Sequence, residues 1–131
     1  MTIVDTSVWI EFFKKTEKYF SDVKRCMERQ QIFAYEPIFA ELLQGVKGRR
    51  ESEIIQQYWR FLPRVKIEDG LIKAGIFSAE KKLFSLGVGL IDACILVAAQ
   101  ETQSQIWTLD KKLLAIIPDA LIMKNEHFKA I

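Results

Sequence analysis

Apolar residues along this 131-residue chain recur in two ways, as short β-branched runs and as longer stretches of roughly helical period. TIVD (2–5), QIFA (31–34), RVKI (64–67), QIWTLD (105–110) and ALIM (120–123) read as five short strands. Between them, SVWIEFF carries aromatic bulk at helical spacing, and both 17–30 and RESEIIQQYWRF (50–61) mix polar and apolar positions as amphipathic helices do. EPIFAELLQGV opens with Pro37 at a first helical position and closes at Gly45 and Gly48. A long helical stretch is expected from about Asp69 to Leu86, and a glycine-flanked apolar helix from about 90 to 102. Strands alternating with helices predict an α/β fold with a parallel sheet covered on both faces. With no internal repeat or linker, one domain over residues 1–131 is expected.

The apolar helix raises a question of charge. In GLIDACILVAAQ (89–100), Asp92 is the single charged residue. A carboxylate buried without a partner costs several kcal/mol or shifts its pKa and neutralises. In open α/β sheets ligands bind beyond the carboxyl ends of the strands. Asp5 and Asp110 each follow a strand, Asp92 falls in the first turn of its helix, and Glu41 lies at the margin of the apolar stripe of EPIFAELLQG. Four carboxylates from scattered positions could converge on one edge of the sheet. Each also has a plainer reading: Asp5 and Asp110 as N-caps, Asp92 as an acid complementing the helix dipole, Glu41 as a solvated surface residue. Ser7 and Thr108 could be capping hydroxyls.

Composition narrows the chemistry. Half the residues are hydrophobic and 27% charged, with net charge +2, a globular balance compatible with a polyanionic partner. Cys26 and Cys94 lack metal-ligand spacing and read as reduced core thiols. MTIVDTSVW has no signal-peptide pattern, and Gly87, Gly89 and Asp92 interrupt the apolar run after Lys82. A cytoplasmic protein with no membrane association is therefore expected. The lone histidine, His127, argues against a zinc site or a histidine-pair ribonuclease, and no GxSxG, Cys–His or Walker-type pattern is present. Converging carboxylates without a nearby cation suit Mg²⁺ or Mn²⁺, which activate water and stabilise charge on a phosphodiester. An aspartate-nucleophile phosphatase would need a second Asp where Ser7 stands, and a receiver domain an acidic pair ending its first strand.

VDTSVWI (4–10), AELLQG (40–45), GLIDACILVAA (89–99) and WTLDKKL (107–113) resemble the four acidic motifs of the PIN-domain nucleases. Chain length and motif order are most similar to the VapC-type toxins of bacterial toxin–antitoxin pairs. The resemblance implies a five-stranded parallel sheet flanked by helices on both faces. It makes Asp5, Glu41, Asp92 and Asp110 a catalytic quartet, with Thr6 and Thr108 as supporting hydroxyls and Asp5, Asp92 and Asp110 as metal ligands. The activity implied is Mg²⁺- or Mn²⁺-dependent endonucleolytic hydrolysis of RNA, leaving 5′-phosphate and 3′-hydroxyl ends. The partners implied are a second copy in a homodimer and a cognate antitoxin whose C-terminal segment lies over the active-site groove. One departure is ACILVAA after Asp92, where many relatives carry smaller residues.

Lys47, Arg49 and Arg50 after the Glu41 helix, and Lys111 and Lys112 after Asp110, are candidates for RNA phosphate contacts, with solvated helix ends as the alternative. Lys14, Lys15 and Lys18 read as ordinary surface, and Trp9, Phe12, Phe13, Trp59 and Phe61 as core or interface. Two other functions fit the same pattern: a catalytically silent RNA-binding or regulatory module, and a metal-dependent DNA nuclease.

Overall fold

A computed structural model describes residues 1–124, and His127 lies outside the described residues. Three short parallel strands form the sheet: β1 (Thr2–Val4), β2 (Ile32–Phe33) and β3 (Gln105–Trp107), in the order β2-β1-β3. Between β1 and β2 come α1 (Thr6–Phe13) and α2 (Glu17–Glu28). Between β2 and β3 come α3 (Glu36–Gln44), α4 (Arg49–Phe61), α5 (Gly70–Lys81) and α6 (Leu90–Thr102), and α7 (Lys111–Leu114) follows β3. The crossover from β1 to β2 and the crossover from β2 to β3 run in opposite directions across the sheet. Right-handed connections, the near-universal rule for such units, therefore carry helices to both sides of the sheet.

The outer segments read from sequence as strands, 64–67 and 120–123, each contribute one parallel bridge, Ala34 to Arg64 and Ile106 to Ile122. At the first edge the Pro63 carbonyl accepts from the Ala34 N–H, and the chain then leaves the ladder after Val65. At the other, the 3₁₀ turn Asp119–Leu121 takes up the first half of the segment before Met123 N–H reaches the Ile106 carbonyl. The sheet is thus narrower in regular pairing than the five full strands expected.

The helix expected over 69–86 is also divided. Lys82 adopts a left-handed conformation (φ 54°) that ends α5, and Phe84–Leu86 forms a separate 3₁₀ turn. The break turns Leu83 into the core, where it is 4% exposed. α6 is the central helix, with every residue from Ala93 to Ala99 buried. A Lys73–Glu101 ion pair at 3.1 Å ties α5 to it. The remaining core joins β1, β3 and α6 to an aromatic cluster in which Trp9, fully buried, packs against Phe12, Phe13 and Phe39. Cys26 and Cys94 are both buried and unbridged, and burial raises both thiol pKa values, that of Cys26 to about 11. Among the described residues no helix is long and apolar enough to cross a membrane.

Candidate active site

β1 is the central strand, and the crossover from it to β2 and the one from β2 back across to β3 run in opposite directions, so a crevice opens at its carboxyl end. Asp5 stands there, 5% exposed. Its N–H donates to the Trp107 carbonyl at 2.9 Å, which fixes the end of β1 to the end of β3. Its own carbonyl accepts from Val8 and Trp9 and starts α1. Asp5 thus occupies an N-cap position, but its side chain makes no capping bond. Instead Oδ2 accepts from Thr108 Oγ1 at 2.7 Å and from Ser7 Oγ at 3.1 Å.

Those two hydroxyls are fully committed. Ser7 Oγ accepts from the Leu109 N–H at 3.0 Å, and Thr108 Oγ1 accepts from the Asp110 N–H at 3.0 Å. Each hydroxyl has one proton to give, and both give it to Asp5. The 3.4 Å approach between the hydroxyls is then a contact within the network and needs no proton of its own. The network locks the start of α1 to the loop that presents Asp110.

The other acids arrive from two helices and from the cap before a third. Glu41, exposed on α3, accepts from Thr6 Oγ1 at 2.7 Å. Asp92 is the third residue of α6, partly buried where the helix leaves Gly89. Its carboxyl is pushed up to about 6, first by burial, then by the charges of Asp5 and Asp110, with Glu41 adding to them. A hydrogen bond from the Gly89 N–H offsets part of that rise. All three other acids act electrostatically on Asp92, so the four are brought to one end of the sheet. Asp110 alone behaves as a cap: Oδ1 accepts from the Lys112 and Leu113 N–H groups at 2.8 and 3.4 Å.

The basic candidates divide. Lys47 lines a cleft beside Glu41, and the Lys112 side chain lies over Gly87, whose missing Cβ would come within 3.3 Å of Nζ. Arg49 pairs with Glu53 at 3.2 Å along its own exposed helix face. Arg50 and Lys111 are exposed and make no ion pair among the described residues. No cation within the described chain pairs with any of the four acids.

Among the described residues no three acidic, histidine or cysteine side chains form a ready metal cage as they stand. The donor chemistry nevertheless fits a hard divalent cation. The donors are carboxylate oxygens without a paired cation, and Asp92 is raised first by burial and then by the neighbouring negative charges. Two features escaped the sequence reading. Ser7 joins Asp5 to the Leu109 backbone instead of capping α1, a long-range contact invisible in linear sequence. Ile10, Phe13 and Lys14 line the cleft next to Glu41, and their spacing from Thr6 on one helix face was the available signal.

The family model described as PIN domain matches residues 2–117. Ribonuclease VapC11 of Mycobacterium tuberculosis and a VapC ribonuclease of Mycobacterium bovis are each 28% identical over 104 residues, covering 75% of this chain and 77% of theirs. Among solved structures, a toxin–antitoxin complex from Klebsiella pneumoniae is similar with a TM-score of 0.71 at 20% identity, over 94% of this chain and 97% of that one. VapBC2 from Rickettsia felis, bound to a DNA fragment from its promoter, gives a TM-score of 0.66 at 19% identity, over 94% and 96% of the two chains.

Proposed function

The chain belongs to the PIN domain family, and from that premise we propose that it is a Mg²⁺- or Mn²⁺-dependent endoribonuclease, the toxin of a toxin–antitoxin pair. The observation that carries the reading is the hydroxyl network at the ends of β1 and β3, in which Thr108 and Ser7 hold Asp5 beside the loop of Asp110, with Asp92 near enough for both charges to act on it. Asp5, Glu41, Asp92 and Asp110 are the catalytic residues of this proposal, and Asp5, Asp92 and Asp110 would hold the ion. When bound, a divalent ion lowers the pKa of water and neutralises charge on the phosphodiester.

The chain's own groups supply orientation. Thr108 and Ser7 both fix Asp5 through Oδ2, and Thr6 fixes Glu41. The cap made by Asp110 spends only Oδ1, leaving Oδ2 for the site. Lys47, beside Glu41, and Lys112, next to the Asp110 cap, are the basic residues proposed to meet RNA phosphates, with Arg49, Arg50 and Lys111 as further exposed candidates.

The unit is proposed to act as one cytoplasmic domain, paired with a second copy and held inactive by a cognate antitoxin. Exposed apolar residues on α5, the 3₁₀ turn after it and the start of α6, including Ile72, Ile76, Phe84 and Leu90, support a paired state.

Purified protein given RNA with Mg²⁺ or Mn²⁺ should cut it internally, and EDTA should stop the reaction. Asp92→Asn should lose cleavage while keeping the fold by circular dichroism. A variant that cuts at the wild-type rate would remove Asp92 from the mechanism. A folded wild-type protein that cuts no RNA would leave a silent RNA-binding module instead.

A further inference from the structure

A cleft of about 340 Å³ opens between α1, α3 and α4, with Glu41 of the candidate acids in its lining. That volume lies in the range of small-ligand sites, roughly 300–1,000 Å³. Thr6 and Glu41 form the end shared with the active site. The walls are apolar: Ile10 and Phe13 from α1, Leu42 from α3 and Ile55 from α4. Ile10 is 41% exposed, and Phe13 is the one aromatic of α1 that is not fully buried. Its ring is held by Trp9 (5.8 Å, 23°), Phe12 (5.2 Å, 73°) and Tyr58 (5.5 Å, 74°), so a planar ligand packing there would find a platform already in place.

Charge decides what such a ligand must carry. Lys14 and Lys47 border the cleft, and neither makes an ion pair among the described residues. Two carboxylates also line the cleft, each held by a neutral donor and neither paired with those ammonium groups. Glu41 accepts from Thr6, and Glu51 accepts from the Lys47 backbone N–H at 3.2 Å. An apolar peptide side chain would fill the walls and give neither ammonium group an ion-pair partner. A nucleotide satisfies both requirements, with a flat apolar base and an anionic phosphate.

We propose that this cleft seats one nucleotide of the RNA next to the scissile bond, its base against Ile10 and Phe13 and its phosphate on Lys14 and Lys47. The proposal rests on the ribonuclease reading and assigns that reaction a base subsite.

The test uses the full chain with labelled isoleucine methyl groups, in EDTA, titrated with each of the four nucleoside 5′-monophosphates. The Ile10 and Ile55 methyl signals should move saturably, whereas ribose 5-phosphate and inorganic phosphate should leave them in place. Lys14→Ala with Lys47→Ala, and separately Phe13→Leu, should each weaken binding about tenfold, within the loss typical of one stacked base or its phosphate contact. In cleavage of a short RNA the same variants should raise KM more than they lower kcat. Ile10 signals that ignore all four nucleotides, or that respond equally to ribose 5-phosphate, overturn the proposal and leave the cleft to a protein segment. Nucleotide-dependent shifts in a protein that cuts no RNA would keep the subsite and remove the ribonuclease reading.

Discussion

Asp5 and Asp110 occupy equivalent places, each at the N-cap of the helix that follows a strand, yet only Asp110 caps. Asp110→Ala should therefore cost about 1 kcal/mol in urea unfolding, while Asp110→Asn should keep most of that stability. Thr108→Val removes a proton donor from Asp5 and leaves the Asp110 N–H without its acceptor, so cleavage should fall roughly ten- to a hundredfold. Asp92 makes a prediction of its own. Its carboxyl, raised from 3.8 to about 6, holds its proton more tightly folded than unfolded. That stability is whole below about pH 4 and is lost as pH rises through about 6. Asp92→Asn in EDTA should thus melt above wild type near pH 8, with the gap closing towards pH 4. A lower melting temperature at both ends would identify Asp92 as a structural residue. The sequence showed an acid after each of two strands and one inside an apolar helix, which is why four candidates could be named. It could not separate capping from convergence, because that depends on which hydroxyls and N–H groups arrive from a hundred residues away.

At the level of elements, helices were legible where apolar periodicity ran unbroken, as in α6. The stretch from Asp69 to Leu86 was harder, because nothing in its composition marks Lys82 as a stop. Four helices here are followed by a left-handed residue that is not glycine: Lys15, Gln30, Lys82 and Gln103. Such positions normally favour glycine. Lys82→Gly and Gln103→Gly should each raise stability by about 0.5–1 kcal/mol, measured by chemical denaturation. The two outer strands were legible only as apolar runs. Each lies at an edge with a proline close before it, Pro63 or Pro118, and each pairs through one bridge.

At the scale of the whole molecule, Ile72 and Ile76 stand one turn apart on α5, 66% and 55% exposed. If this face joins two copies, sedimentation should give a dimer, and Ile72→Lys with Ile76→Lys should give a folded monomer. A wild-type monomer would leave the face to another partner. The bond from Thr108 to Asp5 has a consequence in time as well as in space. It spans 103 positions of sequence, and the strand pairing beside it joins the first residues of the chain to some of the last. Closing so large a loop is slow compared with forming helices locally. A chain still being synthesised therefore holds Asp5 for most of its elongation without Thr108, Asp110 or the strand that aligns them. The acidic centre is among the last parts of the molecule to exist, and a product truncated before β3 carries no assembled site.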